Sequence, residues 1–272
     1  MLRAMLLAAG LAFAGCQTAG PQGIIGPPGA VPSGFAAQSD AEKRRMVEEW
    51  GRLYDRHPDD KETALTYAKG LRALAEYAQA AAVLQRAAIK FPQDNEVLGA
   101  YGKALADTGR LREAAEVLAR AHTPDRPNWS ILSAQGSVAD RLGDHEQAQA
   151  YYAAALKIAP AQPFVLSNLG LSYALSKKLP EAEKTLKEAA SQQGADSRVR
   201  QNLALVLSLE GKFASAGEVA RRDLTPKDAA ANVAAIKRMI AQSNTWKQIQ
   251  ALDARPHAAG MQPGQTGEVS SE

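Results

Sequence analysis

Side-chain catalysis needs a nucleophile, a base or a metal ligand held beside a partner, and few residues of this 272-residue sequence are spaced to have one. The histidines, His57, His122, His145 and His257, stand far apart, and none is paired at metal-ligand spacing. No HExxH run occurs, which excludes a zinc-peptidase centre of that kind on this chain. There is no GxSxG elbow and no dinucleotide fingerprint, and Gly102-Lys103 lacks the upstream glycine and following Ser/Thr of a phosphate loop. Acidic pairs such as Glu48-Glu49 and Asp59-Asp60 read as solvated surface. The expectation is a protein that is not an enzyme, with no catalytic residue, metal or cofactor and no small-molecule substrate. One residue is placed for a defined reaction: Cys16, the only cysteine, which can form no intramolecular disulfide. It follows the charge of Arg3, an apolar stretch from Ala4 to Ala14, and Gly15. That is the three-part build of a secretory signal, too short for a permanent membrane span.

Ala14-Gly15-Cys16 resembles the end of a bacterial lipobox, in which the cysteine is acylated and becomes the first residue of the mature protein. Phe13 stands where leucine is usual, so a plain signal peptide with an incidental cysteine is the other reading. Acylation would supply more than the two signals that stable membrane attachment requires. Gln17, rather than aspartate, after the cysteine resembles lipoproteins sorted to the outer membrane, which places the protein on its periplasmic face. Residues 1–15 are thus read as a signal and 16–39 as a tether. From Gln17 to Gln38 the chain is uncharged and rich in Gly, Pro, Ala and Gln, so it cannot build a core. A coil of that length averages on the order of 25 Å end to end.

The remaining chain must fold without much help from sheet-forming residues. Roughly one residue in five is alanine and aromatics are 6%, which favours closely packed helices. The 32 basic and 29 acidic side chains are too balanced for the concentrated positive field that nucleic acid requires. An internal period organises the rest. Ala68, Gly102, Gly136, Gly170 and Ala204 recur every thirty-four positions, and so do Ala80, Ala114, Ala148, Ala182 and Ala216. Leu84, Leu118, Tyr152 and Leu186 form a bulky column, followed three residues on by Ala87, Ala121, Ala155 and Ala189. Each unit carries two apolar stripes at helical spacing, separated by a turn such as Thr108-Gly109-Arg110, Leu142-Gly143-Asp144 or Glu210-Gly211-Lys212.

These columns resemble the tetratricopeptide repeat, in five units over residues 61–226 that start at Lys61, Asn95, Trp129, Pro163 and Ser197. The fold class implied is all-α, a superhelix of antiparallel helix pairs with capping helices at both ends. The N-terminal cap is expected over residues 40–58, with Met46, Trp50, Leu53 and Tyr54 on one face. The C-terminal cap is expected over 227–254 as two helices, Asp228 to Ser243 and Asn244 to Leu252. Residues 255–272 are expected to be disordered. In the fifth unit Ala220 replaces the bulky residue and Pro226 ends the unit early, so stacking should change there.

The resemblance also implies a concave groove lined by the first helix of each unit. Its positions are Lys69, Arg72, Lys103, Ser133, Ser137, Ser167, Asn168, Arg198, Gln201 and Asn202. Asn168 and Asn202 lie one repeat apart; they can pair with the backbone of an extended peptide, or merely bond neighbouring helix ends. The basic members suggest an acidic or C-terminal carboxylate partner. Repeats alone name no partner. Ala100-Tyr101-Gly102-Lys103-Ala104-Leu105, the stretch Thr123 to Trp129, the stretch Leu166 to Ser176 and the stretch Ala195 to Val206 are similar to the TadD family of Flp/Tad pilus assembly proteins. So are Ala231-Asn232-Val233 and Asn244-Thr245-Trp246. That resemblance implies a lipoprotein that helps assemble the tight-adherence secretion machine, with its secretin or another Tad component as partner. A regulatory adaptor that docks a periplasmic peptidase or cell-wall enzyme is the alternative.

Overall fold

The computed structural model describes residues 39–123 and 125–253. The signal, Cys16, the tether and the tail lie outside the described residues, as do the side chains of Asn244, Thr245 and Trp246. Twelve helices and no strand are found among the described residues. They are α1 (Asp40–Arg56), α2 (Lys61–Ala73), α3 (Tyr77–Lys90), α4 (Asn95–Asp107), α5 (Leu111–Ala119), α6 (Trp129–Leu142), α7 (His145–Ile158), α8 (Pro163–Leu175), α9 (Leu179–Ser191), α10 (Ser197–Leu209), α11 (Phe213–Ala220) and α12 (Pro226–Asp253).

The period sets where each helix starts and turns. N-caps fall at Asp60, Asp94, Asn128, Gln162 and Asp196, thirty-four residues apart. Asp94 accepts from the backbone N–H of Glu96 and Val97 at 3.0 Å, and Asn128 from Ser130 and Ile131 at 2.9 and 3.3 Å. Each satisfies donors that a helix start leaves unpaired. Gln162 makes no such bond, and Pro163 follows it at the first turn, where a missing N–H costs nothing. The turn inside each unit also repeats. Ala75, Gly109, Gly143, Lys177 and Gly211 all have positive φ, between 61° and 89°. Glycine adopts that conformation freely, whereas a side chain there costs about 1–2 kcal/mol. Lys177→Gly should therefore stabilise the protein by about 0.5–1 kcal/mol, once the greater freedom of glycine in the unfolded chain is subtracted. Urea titration checks this, and a loss of stability would show that Lys177 carries no such strain.

Within a unit the small column faces the bulky one sixteen residues on. A Cβ on Gly102 would sit 2.6 Å from Leu118 Cγ, one on Gly136 would sit 2.6 Å from the Tyr152 ring, and one on Gly170 would sit 2.6 Å from Leu186 Cγ. Leu118, Tyr152 and Leu186 have no exposed surface, and neither do the five alanines of the second column. The bulky residue thus fills the space left on its own unit's first helix, and it also reaches the next unit: Leu84 shares a cluster with Val97 and Ala104. The first helices α2, α4, α6, α8 and α10 approach one another along the stack as well as their own partners, which puts them on the inner side of the curve.

The caps differ from expectation in detail. On α1 the buried residue is Val47, with Met46 and Tyr54 packed beside it and Trp50 and Leu53 only half-buried. The C-terminal cap is one helix, α12, not two: Asn244-Thr245 contains no proline or glycine to stop it. It docks through buried Ala229 and half-buried Val233 on a cluster that includes Leu203, Val206 and Ala216. The fifth unit ends early, with an eight-residue α11 and Ala220 in the bulky column.

Candidate functional site

The inner helices are joined by polar bonds that recur from unit to unit. Lys61 reaches Asp94 and Glu96 at 3.0 and 3.1 Å, Arg72 Nε donates to Asp107 at 2.6 Å, and Lys103 Nζ donates to Ser130 Oγ at 2.8 Å. Arg141 donates to the carbonyl of Ala106, and Asn202 Nδ2 donates to Ser167 Oγ at 3.0 Å.

This assigns the expected groove residues to three groups. Arg72, Lys103, Ser167 and Asn202 are engaged as links between units. Arg198 bonds its own N-cap Asp196 at 2.9 Å and lies over the Phe164 ring, 5.4 Å from its centroid. Lys69, Ser133, Ser137, Asn168 and Gln201 have side chains with no hydrogen bond or ion pair among the described residues; of these, Lys69 is exposed and Gln201 half-exposed. Ser133, Ser137, Ser167 and Asn168 are buried, and Ser167 meets the next inner helix through Asn202. Little of these four side chains is open to solvent, and small side chains such as serine and asparagine allow neighbouring helices to approach. The stacked pair Asn168 and Asn202 is likewise divided. Asn202 holds Ser167, and Asn168 keeps its amide unspent.

Two features escaped sequence inspection. Phe164 is 37% exposed at the second position of the fourth unit, one repeat before Arg198, and gives the groove an apolar contact flanked by a cation. The repeat position was visible; its apolar character hid it among core residues. The other is a buried knot around Asp140, whose side chain is 2% exposed. Ser172 Oγ donates to its Oδ1 at 2.8 Å, Tyr152 OH donates to its Oδ2 at 3.2 Å, and His145 Nδ1 lies 2.9 Å from Oδ1. These are residues of a hydrolytic triad without its geometry: the serine bonds the carboxylate, not the imidazole, and is sealed from solvent. The arrangement ties α6, α7 and α8 together. Burial raises the Asp140 carboxyl above its ordinary 3.8, against the downward pull of His145, Ser172 and Tyr152, and burial together with the Asp140 charge pushes the Tyr152 phenol well up. Burial, then the Arg72 charge, lowers Lys103 to about 8, with Asp107 opposing.

Among the described residues no three His, Cys, Asp or Glu side chains converge to hold a metal, and no helix is long and apolar enough to cross a membrane. Two family models described as tetratricopeptide repeat match residues 71–136 and 133–198. A search of the curated proteins found no match. Among solved structures, the chain is similar to the tetratricopeptide-repeat protein TTC0263 of Thermus thermophilus, at 23% identity and TM-score 0.58 over 65% of this chain and 98% of that one. It is also similar to the Cut9-Hcn1 complex, at 16% identity and TM-score 0.60 over 80% of this chain and 44% of that one. PilF of Pseudomonas aeruginosa matches at 18% identity and TM-score 0.50, over 78% and 90%.

Proposed function

Since this chain is a tetratricopeptide-repeat protein, and such repeats make protein-interaction scaffolds, we propose that it is a non-enzymatic, lipid-anchored assembly factor of the Flp/Tad pilus machine. Cys16 carries the lipid, the tether of 16–39 lets the repeats stand off the periplasmic face of the outer membrane, and the groove holds a segment of the secretin or another Tad component. The observation that carries docking is the set of unspent groups at units four and five: the half-exposed Gln201 amide, the exposed Phe164 ring with Arg198 over it, and the nearly buried Asn168 amide, which has no partner among the described residues. Amides supply donor and acceptor to a peptide backbone, and a phenyl ring with a cation takes an apolar side chain. The choice of machine rests on the TadD-like stretches and the lipobox-like start.

Capture from envelope extracts with acylated protein should recover a Tad component, and Cys16→Ser should lose label from a palmitate analogue and leave the outer-membrane fraction. Recovery of a peptidase or cell-wall hydrolase in place of Tad components would replace the pilus role with that of a regulatory adaptor. Asn168→Ala combined with Gln201→Ala should leave the melting temperature nearly unchanged and weaken capture about tenfold, the worth of one or two hydrogen bonds. Asn202→Ala should instead lower stability by about 1 kcal/mol, since it removes a link to Ser167. Capture at full strength by the double variant would remove Asn168 and Gln201 from the site.

A further inference from the structure

The positive charge of the chain is gathered at one end. Residues 40–196 hold 21 basic and 22 acidic side chains, while the whole chain carries a formal +3. The excess lies on the terminal hairpin of α11 and α12. Arg221 and Arg222 follow α11, Lys227 stands in the first turn of α12, and Lys237 and Arg238 lie farther along it, all five exposed. None of them has an ion pair among the described residues, and Lys237 sits over the Phe213 ring, 5.3 Å from its centroid. Of the nearby carboxylates, Asp223 is taken by Arg200 Nε at 2.7 Å and Asp228 accepts from the Thr225 hydroxyl at 2.7 Å, which leaves Glu218. Six cations, counting Arg200, against three carboxylates is a surplus of three, as large as the charge of the whole chain.

The arrangement on α12 has a direction. Lys227 and Arg238 are eleven residues apart, about three turns and 16 Å, and so share the face opposite buried Ala229. Between them that face carries exposed Ala231 and Ala234 and no carboxylate. We propose that the α11–α12 hairpin is a membrane-contact surface, which lays its cations on the anionic headgroups of a lipid bilayer. Charges set this far apart with alanine between them form no pocket for one anion, whereas a bilayer offers phosphates at every spacing. Each Lys or Arg near such a surface strengthens binding about fivefold. The contact goes beyond the docking reading and needs neither the groove nor the lipid. With Cys16 acylated it gains a consequence: α1, which the tether enters, and α12 stand at opposite ends of the stack, so lipid at one end and hairpin at the other lay the solenoid along the bilayer instead of letting it swing.

The described fold begins at residue 39, so the form 16–272 with Cys16→Ser keeps all of it and carries no lipid. Its flotation with vesicles of phosphatidylethanolamine and phosphatidylglycerol is the test, with phosphatidylcholine vesicles as the uncharged comparison. The protein should float with the anionic vesicles, stay behind with phosphatidylcholine, and lose binding as salt is added. Arg221→Gln combined with Arg222→Gln should weaken flotation about twenty-five-fold, two charges at about fivefold each, and so should Lys227→Gln with Arg238→Gln. Since none of the four makes an ion pair, both variants should keep the wild-type melting temperature. Arg112→Gln with Lys184→Gln, two exposed cations without ion pairs on α5 and α9, should leave flotation unchanged. No flotation with anionic vesicles, equal flotation with phosphatidylcholine, or an equal loss from the Arg112 and Lys184 pair overturns the proposal, as does capture of an acidic protein through the hairpin without flotation. Flotation without capture of any Tad component supports the membrane contact and counts against the pilus role; capture without flotation does the reverse.

Discussion

Gly170→Leu should lower stability by about 1–3 kcal/mol or more, the usual cost of forcing extra atoms into a packed core. The position leaves no alternative: a Cβ alone would lie 2.6 Å from Leu186 Cγ and 3.3 Å from the Ala182 carbonyl oxygen. Leu186 is fully buried, and the carbonyl belongs to the rigid start of α9, so neither can retreat without parting α8 from α9. Gly136 is tighter still, because the Tyr152 ring opposite it is held by Asp140. Gly217 on α11 supplies the control. A Cβ there meets only the end of Arg221 at 3.6 Å, so Gly217→Ala should raise stability by about 0.5–1 kcal/mol, the ordinary helix preference for alanine. Urea titration of the three proteins checks both signs. An unchanged midpoint for Gly170→Leu would mean that α8 and α9 do not meet at this register.

Asp140→Ala should cost about 3 kcal/mol, because it leaves Ser172, Tyr152 and His145 Nδ1 in a closed site without their acceptor. Asp140→Asn should cost less, since one amide oxygen remains. The pair also makes a prediction about pH. Burial raises the Asp140 carboxyl in the folded state, so its contribution to stability is complete below 3.8 and is lost as pH rises through the raised value. Asparagine does not titrate, so the advantage of wild type over Asp140→Asn should be largest in acid and shrink towards neutrality. Comparison of the two proteins cancels carboxylates of the opposite sign, such as Glu183, held at about 2 by Lys187 and Lys212, whose contribution is lost as pH falls. A difference that grows with pH would show that Asp140 is ionised at little cost and that its neighbours, not its burial, decide its charge.

The repeat was legible because helix pairing is written in residue size. A glycine in every central unit at one position and a bulky residue sixteen later is a contact that no other spacing satisfies. The N-cap column at 60, 94, 128, 162 and 196 was equally present in the sequence, and its mixture of Asp, Asn and Gln concealed it. Single residues of the site were harder to read. Position in a repeat says that Ser133 and Asn202 face inward, but whether an inward side chain lines space or bonds the next helix depends on how far neighbouring first helices stand apart. The Asp140 knot was beyond sequence inspection for the same reason: its four residues are spread over three helices, and the Asp140 to Ser172 bond spans thirty-two positions. The single helix α12 looks like two in the sequence because its apolar pattern weakens midway, although no breaker interrupts it.

What the groove holds in the cell decides the protein's role. A photo-reactive residue placed at half-exposed Gln201 would report this directly in intact cells. Crosslinks to the Tad secretin or another pilus component are expected, and Asn168→Ala should weaken them. Crosslinks to a cell-wall enzyme instead, or none from the groove while a residue on the outer helices captures the pilus component, would contradict the proposed role.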